Sequence, residues 1–243
     1  MLAAFVLAVG CAGAADNAAD QRAAQVVGTS DLVPVAADGS NIPAPYRRTL
    51  DAFGMMEFDG GRNHCTVTHV GGGVVLTAGH CFDATAARTD DVACPVGYSM
   101  AWGYRVDRAP YLTSSCDRIL AMQHTGDLDY AILRVSPVPA VALRPNLATK
   151  PAIGTTITVF SHPAHLPLEW SQTCKVEPVI ATDGGAAGRS ELRHECDTAP
   201  ASSGATVLDD STLEVVGIHD GAWHGANYAT YLLDTPLAEL LAR

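Results

Sequence analysis

Short runs of apolar and β-branched residues alternate from Val26 onward with Gly, Pro, Asp and Ser residues that are typical of turns. No stretch in the middle of the chain keeps a helical period for three turns. Evenly spaced short strands favour an all-β sandwich or barrel. The pattern predicts strands over residues 73–77, 130–135, 155–160, 174–180, 191–196, 205–208, 213–219 and 228–233.

The two ends of the chain break this pattern. Residues 1–14 form an apolar run followed by small residues, which predicts a secretory signal peptide, and the run is too short to span a bilayer. Residues 15–26 are small and polar, and we interpret them as a leader remnant or pro-segment. Residues 235–243 predict a short helix with Thr235 as N-cap and Pro236 at the first helical position.

Composition and charge narrow the class of protein. The chain has 243 residues, of which 48% are hydrophobic and 17% charged, as in a globular protein. The net charge is −11, and Lys and Arg do not cluster, so we expect no nucleic-acid partner. The acidity favours solubility.

The seven cysteines point to an oxidising compartment. Cys11 lies in the predicted leader, and an even number in the body of an exported chain predicts disulfides and a secreted or periplasmic location. The pairing stays open on cysteine count alone, although Cys174–Cys196 and Cys94–Cys116 are local candidates. In an alternative reading, Leu7-Ala-Val-Gly-Cys11 resembles a lipobox, which would make Cys11 a lipid anchor. The six body cysteines are Cys65, Cys81, Cys94, Cys116, Cys174 and Cys196.

A histidine and an aspartate occupy positions suited to acid–base chemistry. The apolar run Val74-Val-Leu-Thr-Ala-Gly-His80-Cys81 ends in a histidine beside a cysteine, a rigid place for a general base. Asp129 opens the predicted strand at Tyr130, where a carboxylate can hold one histidine tautomer. Asp127 is the competing acid, but it falls outside that strand.

A serine that precedes a glycine completes the set. Ser203 lies in the loop Cys196-Asp-Thr-Ala-Pro-Ala-Ser-Ser203-Gly204. Ser202 is the competing hydroxyl, and no glycine follows it. The order His, Asp, Ser along the chain differs from the α/β-hydrolases, where the serine comes first.

These three motifs resemble those of the chymotrypsin-like serine protease superfamily. Thr77-Ala-Gly-His80-Cys81 is similar to the family's Thr-Ala-Ala-His-Cys, Asp129 precedes Tyr-Ala-Ile-Leu where the family has Ile-Ala-Leu-Leu, and Ser203-Gly204 fits Gly-x-Ser-Gly. The resemblance implies two packed six-stranded antiparallel β-barrels, over residues 27–142 and 143–234, with a short C-terminal helix. It implies a monomer that cleaves a peptide or protein substrate without a cofactor or metal.

The resemblance also assigns the surrounding residues. It pairs Cys65 with Cys81 and places the oxyanion hole at the backbone N–H groups of Ala201 and Ser203. The family has glycine at the position of Ala201, and alanine tolerates fewer backbone angles. The aspartate that pairs with a new N-terminus in trypsin-type zymogens is Ser202 here, so we expect that activation switch to be absent.

The specificity pocket allows three interpretations. The opening Val27-Gly-Thr-Ser, Asp197-Thr198 and Val216-Gly-Ile-His219 resemble the bacterial glutamyl endopeptidases, in which residues at the positions of Thr198 and His219 bind an acidic side chain. An acid at the position of Asp197 selects Arg or Lys in trypsin. His219 can also be a plain structural residue of its strand. We favour acidic selectivity.

The sequence therefore predicts a secreted serine endopeptidase. The alternative is a catalytically impaired protease fold that serves as a binding module, and the reason to consider it is Ala201 in place of the family glycine. An esterase-like hydrolase with the same triad is a third option. His162 and His165 lack a third residue at metal spacing, so we expect a proline-rich loop there and no metal.

Overall fold

The computed structural model describes residues 26–58, 60–61, 63–82, 89–125, 128–179, 191–223 and 225–242, with the backbone alone for Asn63. The predictions for residues 1–25, including Cys11, and the competitor Asp127 lie outside the described residues. None of the described helices is long and apolar enough to cross a membrane. The strands are β1 (Val33–Pro34), β2 (Phe53–Phe58), β3 (Asn63–Gly71), β4 (Val74–Thr77), β5 (Thr89–Ala93), β6 (Ser99–Trp102), β7 (Leu112–Thr125), β8 (Leu128–Ser136), β9 (Thr156–Ser161), β10 (Glu169–Glu177), β11 (Glu191–His194), β12 (Thr206–Asp209), β13 (Val215–Trp223) and β14 (Ala226–Tyr231).

The strands form two closed antiparallel barrels. In the first barrel the order is β7-β6-β2-β3-β4-β8, and β7 pairs with β8 to close it, while β5 adds to the outside of β7. In the second barrel the order is β10-β11-β14-β13-β12-β9, and β10 pairs with β9. The all-β, two-barrel prediction is therefore confirmed. Closure leaves no exposed sheet edge among these twelve strands.

The N-terminal segment crosses from one barrel to the other. β1 pairs with β10, with Val33 opposite Trp170, so β1 extends the second barrel although it precedes the first in sequence. The predicted division between residues 142 and 143 assigns β1 to the first barrel, whereas its hydrogen bonds join it to β10 of the second barrel. The N-terminal segment thus ties the two barrels together.

Each predicted apolar run overlaps a strand, but several strands carry no clear alternation in the sequence. β7 is the longest, and its pairing with β8 shifts register between Cys116 and Arg118 and again between Ile119 and Ala121. Each bulge inserts an unpaired residue and reverses the inward and outward faces. The period of two is therefore lost along β7, and the strand was not predicted.

Aromatic side chains fill the contact between the barrels. Phe53 at the start of β2 and Phe160 in β9 are both fully buried, and their rings stack with centroids 5.2 Å apart. Tyr46 meets Phe160 edge to face at 5.5 Å. Such pairs stabilise by roughly 1 kcal/mol beyond the apolar area they bury. They fix the relative position of the two barrels, and hence of the cleft between them.

The C-terminal helix α1 (Leu237–Leu241) docks through the fully buried Leu237. It begins one residue later than the capping pattern predicts, because Pro236 occupies the N-cap position. The Thr235 hydroxyl donates to the Leu232 carbonyl at 2.7 Å and accepts the Leu237 N–H at 3.4 Å. Thr235 thus caps the turn that leads into the helix.

Three disulfides join elements near the predicted chemistry. Cys65 in β3 is bonded to Cys81, directly after His80. Cys174 in β10 is bonded to Cys196, just before the serine loop. The third bridge joins Cys94 and Cys116 beside β5 and β7.

Candidate active site

His80 and Asp129 form a doubly hydrogen-bonded pair. His80 lies in the 3₁₀ turn Gly79–Cys81 that follows β4, and Asp129 lies in β8. The Nδ1 of His80 is 2.6 Å from the Oδ2 of Asp129, and the backbone N–H of His80 donates to Oδ1 at 3.0 Å. With Nδ1 held by the carboxylate, Nε2 is the ring atom left to exchange a proton with a nucleophile.

The carboxylate of Asp129 is held ionised although it is almost completely buried. Its exposed fraction is 2%. Burial alone would raise the pKa of Asp129, but the electrostatic interaction and hydrogen bonds with His80, together with the nearby His124, hold that pKa below its ordinary value. A buried anion next to an imidazole stabilises the imidazolium.

The turn of His80 depends on a glycine. A Cβ at Gly79 would collide with the carbonyl oxygen of Gln123 in β7. The turn therefore packs directly on the β7 backbone, which explains why this chain has Gly where the family motif has Ala. The Cys65–Cys81 bridge anchors the other side of the same turn.

The loop of Ser203 packs against β4, the strand that precedes the turn of His80. Ser203 is half-buried, and its carbonyl accepts the Thr66 N–H at 2.8 Å. Gly204 has φ +84°, and a Cβ there would collide with the Thr77 Oγ1 and the Thr66 carbonyl. Because Thr77 lies three residues before His80, this close approach brings the serine loop of the second barrel to the histidine turn of the first.

The peptide between Pro200 and Ala201 is oriented by a hydrogen bond to Ala164. The Pro200 carbonyl accepts the Ala164 N–H at 2.6 Å. Since C=O and N–H of a trans peptide point in opposite directions, the Ala201 N–H faces away from Ala164. Neither the Ala201 N–H nor the Ser203 N–H donates to another described residue. A backbone N–H without a protein partner is the type of donor that can receive an oxyanion.

Ala201 adopts a backbone conformation that favours glycine. Its φ is +75°, which costs about 1–2 kcal/mol for a residue with a Cβ. The Thr66 Oγ1 donates to the Ala201 carbonyl at 3.0 Å and helps to hold it there. The departure from the family glycine therefore appears in the structure as local backbone strain at Ala201.

Ser202 is placed unlike a nucleophile. Its hydroxyl is fully buried, lies 3.0 Å from the Ser161 hydroxyl and accepts the Ala199 N–H at 3.1 Å. These hydrogen bonds stabilise the loop from its buried side. Ser202 stands at the position of the zymogen-pairing aspartate of trypsin, and here it carries no charge that could bind a new N-terminus.

Asp197 is occupied by the N-terminal segment. One carboxylate oxygen accepts the Val27 N–H at 2.7 Å and the other accepts the Asp31 N–H at 2.8 Å, and the residue is 2% exposed. Burial, and then the nearby Asp197 charge, raise the pKa of Asp31. A carboxylate whose two oxygens are used in this way is poorly placed to receive Lys or Arg.

His219 and Thr198 are both buried near the serine loop. The backbone of His219 in β13 accepts the Gly204 N–H at 2.8 Å, which fixes it to the serine loop. Its ring is fully buried, packs edge-on against His194 with ring centroids 5.4 Å apart, and interacts with the backbone of Tyr228. Burial lowers the pKa of His219 to about 4. The Thr198 hydroxyl donates to the Asn227 Oδ1 at 2.9 Å.

Two residues near His80 and Asp129 escaped the sequence reasoning. Thr230 in β14 accepts the Asp129 N–H at 2.9 Å and donates to Asp220 at 3.1 Å, so it fixes the aspartate from the second barrel. His124 in β7 lies directly opposite Asp129, and its Nε2 is 3.7 Å from the Asp129 Oδ2. The short spacing between His124 and Asp129, which is compatible with a hairpin, was the one sequence feature that could have indicated that the two residues lie opposite each other.

His162 precedes the 3₁₀ turn Pro163–His165, in which His165 lies, and the two side chains have different surroundings. His162 is fully buried, its Nδ1 is 3.1 Å from the Leu166 carbonyl, and burial lowers its pKa to about 4. His165 is exposed and its ring lies tilted against that of His64, with centroids 3.6 Å apart.

The fold and this site define a peptidase of the trypsin-like class. The chain belongs to the trypsin-like peptidase domain family, whose profile matches residues 65–218, well over half of the chain. Comparison with curated protein sequences finds no significant match.

Solved structures share the fold at low identity. A Glu endopeptidase in complex with MPD is 17% identical, with a TM-score of 0.63, and the match covers 90% of this chain and 100% of the other. A serine endoprotease from Yersinia pestis is 16% identical, with a TM-score of 0.57 and coverage of 83% and 68%. The protease Anisep from Arthrobacter nicotinovorans is 15% identical, with a TM-score of 0.57 and coverage of 76% and 91%.

Proposed function

We propose that the protein is a secreted serine endopeptidase that uses His80, Asp129 and Ser203 as its catalytic triad. The observation that carries the proposal is the buried Asp129 carboxylate bonded to His80 on both its backbone and its ring. The serine loop packs on the strand leading to that histidine. The three residues would lack these contacts if the histidine turn and the serine loop lay apart in the fold.

The proposed reaction follows from these placements. The Ser203 hydroxyl attacks the scissile carbonyl while the Nε2 of His80 takes its proton, and Asp129 stabilises the imidazolium. The N–H groups of Ala201 and Ser203 receive the oxyanion. His80 then gives the proton to the leaving amine, and water hydrolyses the acyl-enzyme by the same steps.

A fluorophosphonate probe tests this proposal on the purified mature protein. We expect the wild type to be labelled, Ser203→Ala to be inert and Ser202→Ala to be labelled more slowly, because Ser202 only braces the loop. Circular dichroism would verify that each variant is folded. A folded wild type that remains unlabelled would refute the triad and favour the binding-module alternative, for which the strained Ala201 is the supporting feature.

We further propose selectivity for acidic residues before the cleaved bond. His219 is fixed next to the serine loop by its backbone and has a neutral ring, and a neutral imidazole can donate to a carboxylate. Asp197, the residue that would favour Lys or Arg, is consumed by the Val27 and Asp31 amides.

Peptide libraries that vary the residue before the scissile bond would test this selectivity. His219→Ala should lower cleavage after Glu far more than cleavage after Ala or Leu. His69→Ala is the matched control, because His69 is similarly buried but bonds to Val141 and Gly73 away from the serine loop. A preference for Lys or Arg that disappears in Asp197→Asn would refute the assignment.

The three disulfides support a secreted or periplasmic location, since such bonds persist in oxidising compartments. The intact mass of the exported protein would distinguish a start after residue 14, a start near Val27, and a diacylated Cys11. A reduced protein recovered from the cytosol would contradict this location.

A further inference from the structure

Two histidines share the buried carboxylate of Asp129. The Nδ1 of His80 is 2.6 Å from its Oδ2, and the Nε2 of His124 is 3.7 Å from the same oxygen. One ligand atom from each of the three residues lies within 4.8 Å of the others. The proposed mechanism uses two of these residues and leaves His124 unexplained.

The backbone fixes this cluster from three sides. His124 and Asp129 are directly opposite each other on the paired strands β7 and β8. The His80 turn packs on the neighbouring residue of β7 through Gly79. The two imidazole rings lie with centroids 5.7 Å apart as a result. The three side chains are therefore held together by strand register and not by chance contacts of a loop.

The His124 side chain is partly exposed, and its Nε2 is the ring nitrogen that faces Asp129. Its Nδ1 is buried and has no hydrogen-bond partner among the described residues. The side chains of His80 and His124 are 28% and 22% exposed, whereas that of Asp129 is 3% exposed. An ion can thus approach the two rings from the solvent while the carboxylate lies behind them.

We propose that His80, His124 and Asp129 form an inhibitory binding site for a borderline-soft divalent metal ion such as Zn²⁺. Two imidazole nitrogens and one carboxylate are a common ligand set for zinc, with ligand distances of about 2.0–2.2 Å. Small side-chain rotations bring atoms already within 4.8 Å of one another to that separation. Hard cations such as Mg²⁺ prefer all-oxygen sites and should not bind here.

Occupation of this site would stop the proposed reaction. The ion accepts a lone pair from the His80 ring and from the Asp129 carboxylate, so His80 can no longer be oriented to take the Ser203 proton. Binding of the ion forms coordination bonds to the protein and leaves the substrate chemically unchanged. This inhibitory consequence rests on the proposed function, whereas metal binding itself does not.

Binding is tested with the full mature chain carrying Ser203→Ala, so that hydrolysis plays no part. We expect ZnCl₂ titration against a fluorescent zinc indicator to show one ion per chain. Adding His124→Gln should weaken the affinity at least about tenfold, the lower end of the loss seen when support for a metal ligand is removed. His124→Ala is a second variant in case the first fails to fold.

His165→Gln is the matched control, because His165 and His64 form the other close histidine pair, with Glu57 3.7 Å from His64. We expect this variant to bind zinc as its parent does. The proposal is overturned if Ser203→Ala binds no zinc, if His124→Gln binds as tightly as its parent, or if His165→Gln alone loses the ion.

Inhibition is tested by the rate of fluorophosphonate labelling of the wild type. Zinc should slow labelling reversibly, EDTA should restore it, and equimolar Mg²⁺ should leave it unchanged. In His124→Gln, the zinc concentration that halves the variant's own metal-free rate should rise at least about tenfold. Zinc binding that leaves labelling unchanged would overturn the inhibitory role. Absence of labelling without metal would refute the proposed function, while the titration would still decide the metal site.

Discussion

Replacement of Gly204 by alanine should separate the serine loop from the histidine turn. Gly204 has φ +84°, and its missing side chain faces the Thr77 Oγ1, the Thr66 carbonyl and the Ala78 N–H. Two of these three contacts are backbone atoms of the first barrel, which cannot rotate away. The added methyl group must therefore push the loop of Ser203 out of the cleft.

The magnitude can be isolated because Gly225 provides a matched position. Gly225 also has φ +84°, but a Cβ there would meet nothing within 4 Å. Both substitutions carry the left-handed backbone cost of about 1–2 kcal/mol, offset by about 0.4–1 kcal/mol from the lower entropy of the unfolded alanine chain. Gly204→Ala adds an overpacking cost of about 1–3 kcal/mol. We therefore expect it to destabilise by about 2 kcal/mol more than Gly225→Ala.

Equilibrium unfolding in urea would measure this difference, with Ser203→Ala as the background so that unfolded chains are not digested. The disulfides stay oxidised throughout. In the active background, Gly204→Ala should also abolish probe labelling, whereas Gly225→Ala should be labelled as the wild type is. Equal destabilisation of the two variants, within about 0.5 kcal/mol, would refute the close packing of the two loops.

Three further predictions concern the same region. Asp129→Asn should lower the rate of peptide hydrolysis by about 10⁴-fold at neutral pH, because the amide favours the wrong tautomer of the catalytic histidine; a loss under tenfold would contradict its role. Ala201→Gly should raise the free energy of unfolding by up to about 1 kcal/mol, and with it the urea midpoint, since it relieves a φ of +75°; a lower midpoint would contradict the strain. The folded state holds His162 and His219 neutral with pKa values of about 4, whereas the unfolded chain protonates them near their ordinary pKa of 6.5. Stability should therefore fall as pH decreases from 6.5 to 4, by about 1.4 kcal/mol per pH unit for each histidine, and a flat urea midpoint over that range would show that these rings are not buried.

The proposed catalytic residues could be found in the sequence because each lies in a short local pattern. His80 follows an apolar strand and precedes a cysteine, Asp129 opens a strand, and Ser203 precedes a glycine. The strong strands were found for the same reason, since alternation is a local signal. The structure adds the reason for two departures, namely the tight packing at Gly79 and the left-handed backbone at Ala201.

Contacts between distant segments could not be predicted in this way. Asp197 accepts the Val27 N–H across 170 residues, and no local pattern announces such a bond. Sequence reasoning therefore left Asp197 as a candidate for binding Lys or Arg. His124 was passed over because its meaning depends on strand register, which the bulges of β7 obscure. Residue types indicate possible chemistry, whereas tertiary contacts decide which of them are available.

The hydrogen bonds from Thr66 to Ser203 and from Asp129 to Thr230 run from one barrel to the other. Any hinge-like opening of the cleft must break both, and it would part Ser203 from His80, the proposed nucleophile and base, while each barrel kept its own strands intact. The threshold for inactivation is then the free energy of barrel separation and not that of global unfolding. Amide hydrogen exchange at Thr66 and Asp129 should report this opening directly, and activity should vanish at denaturant concentrations that leave the circular dichroism of both barrels unchanged.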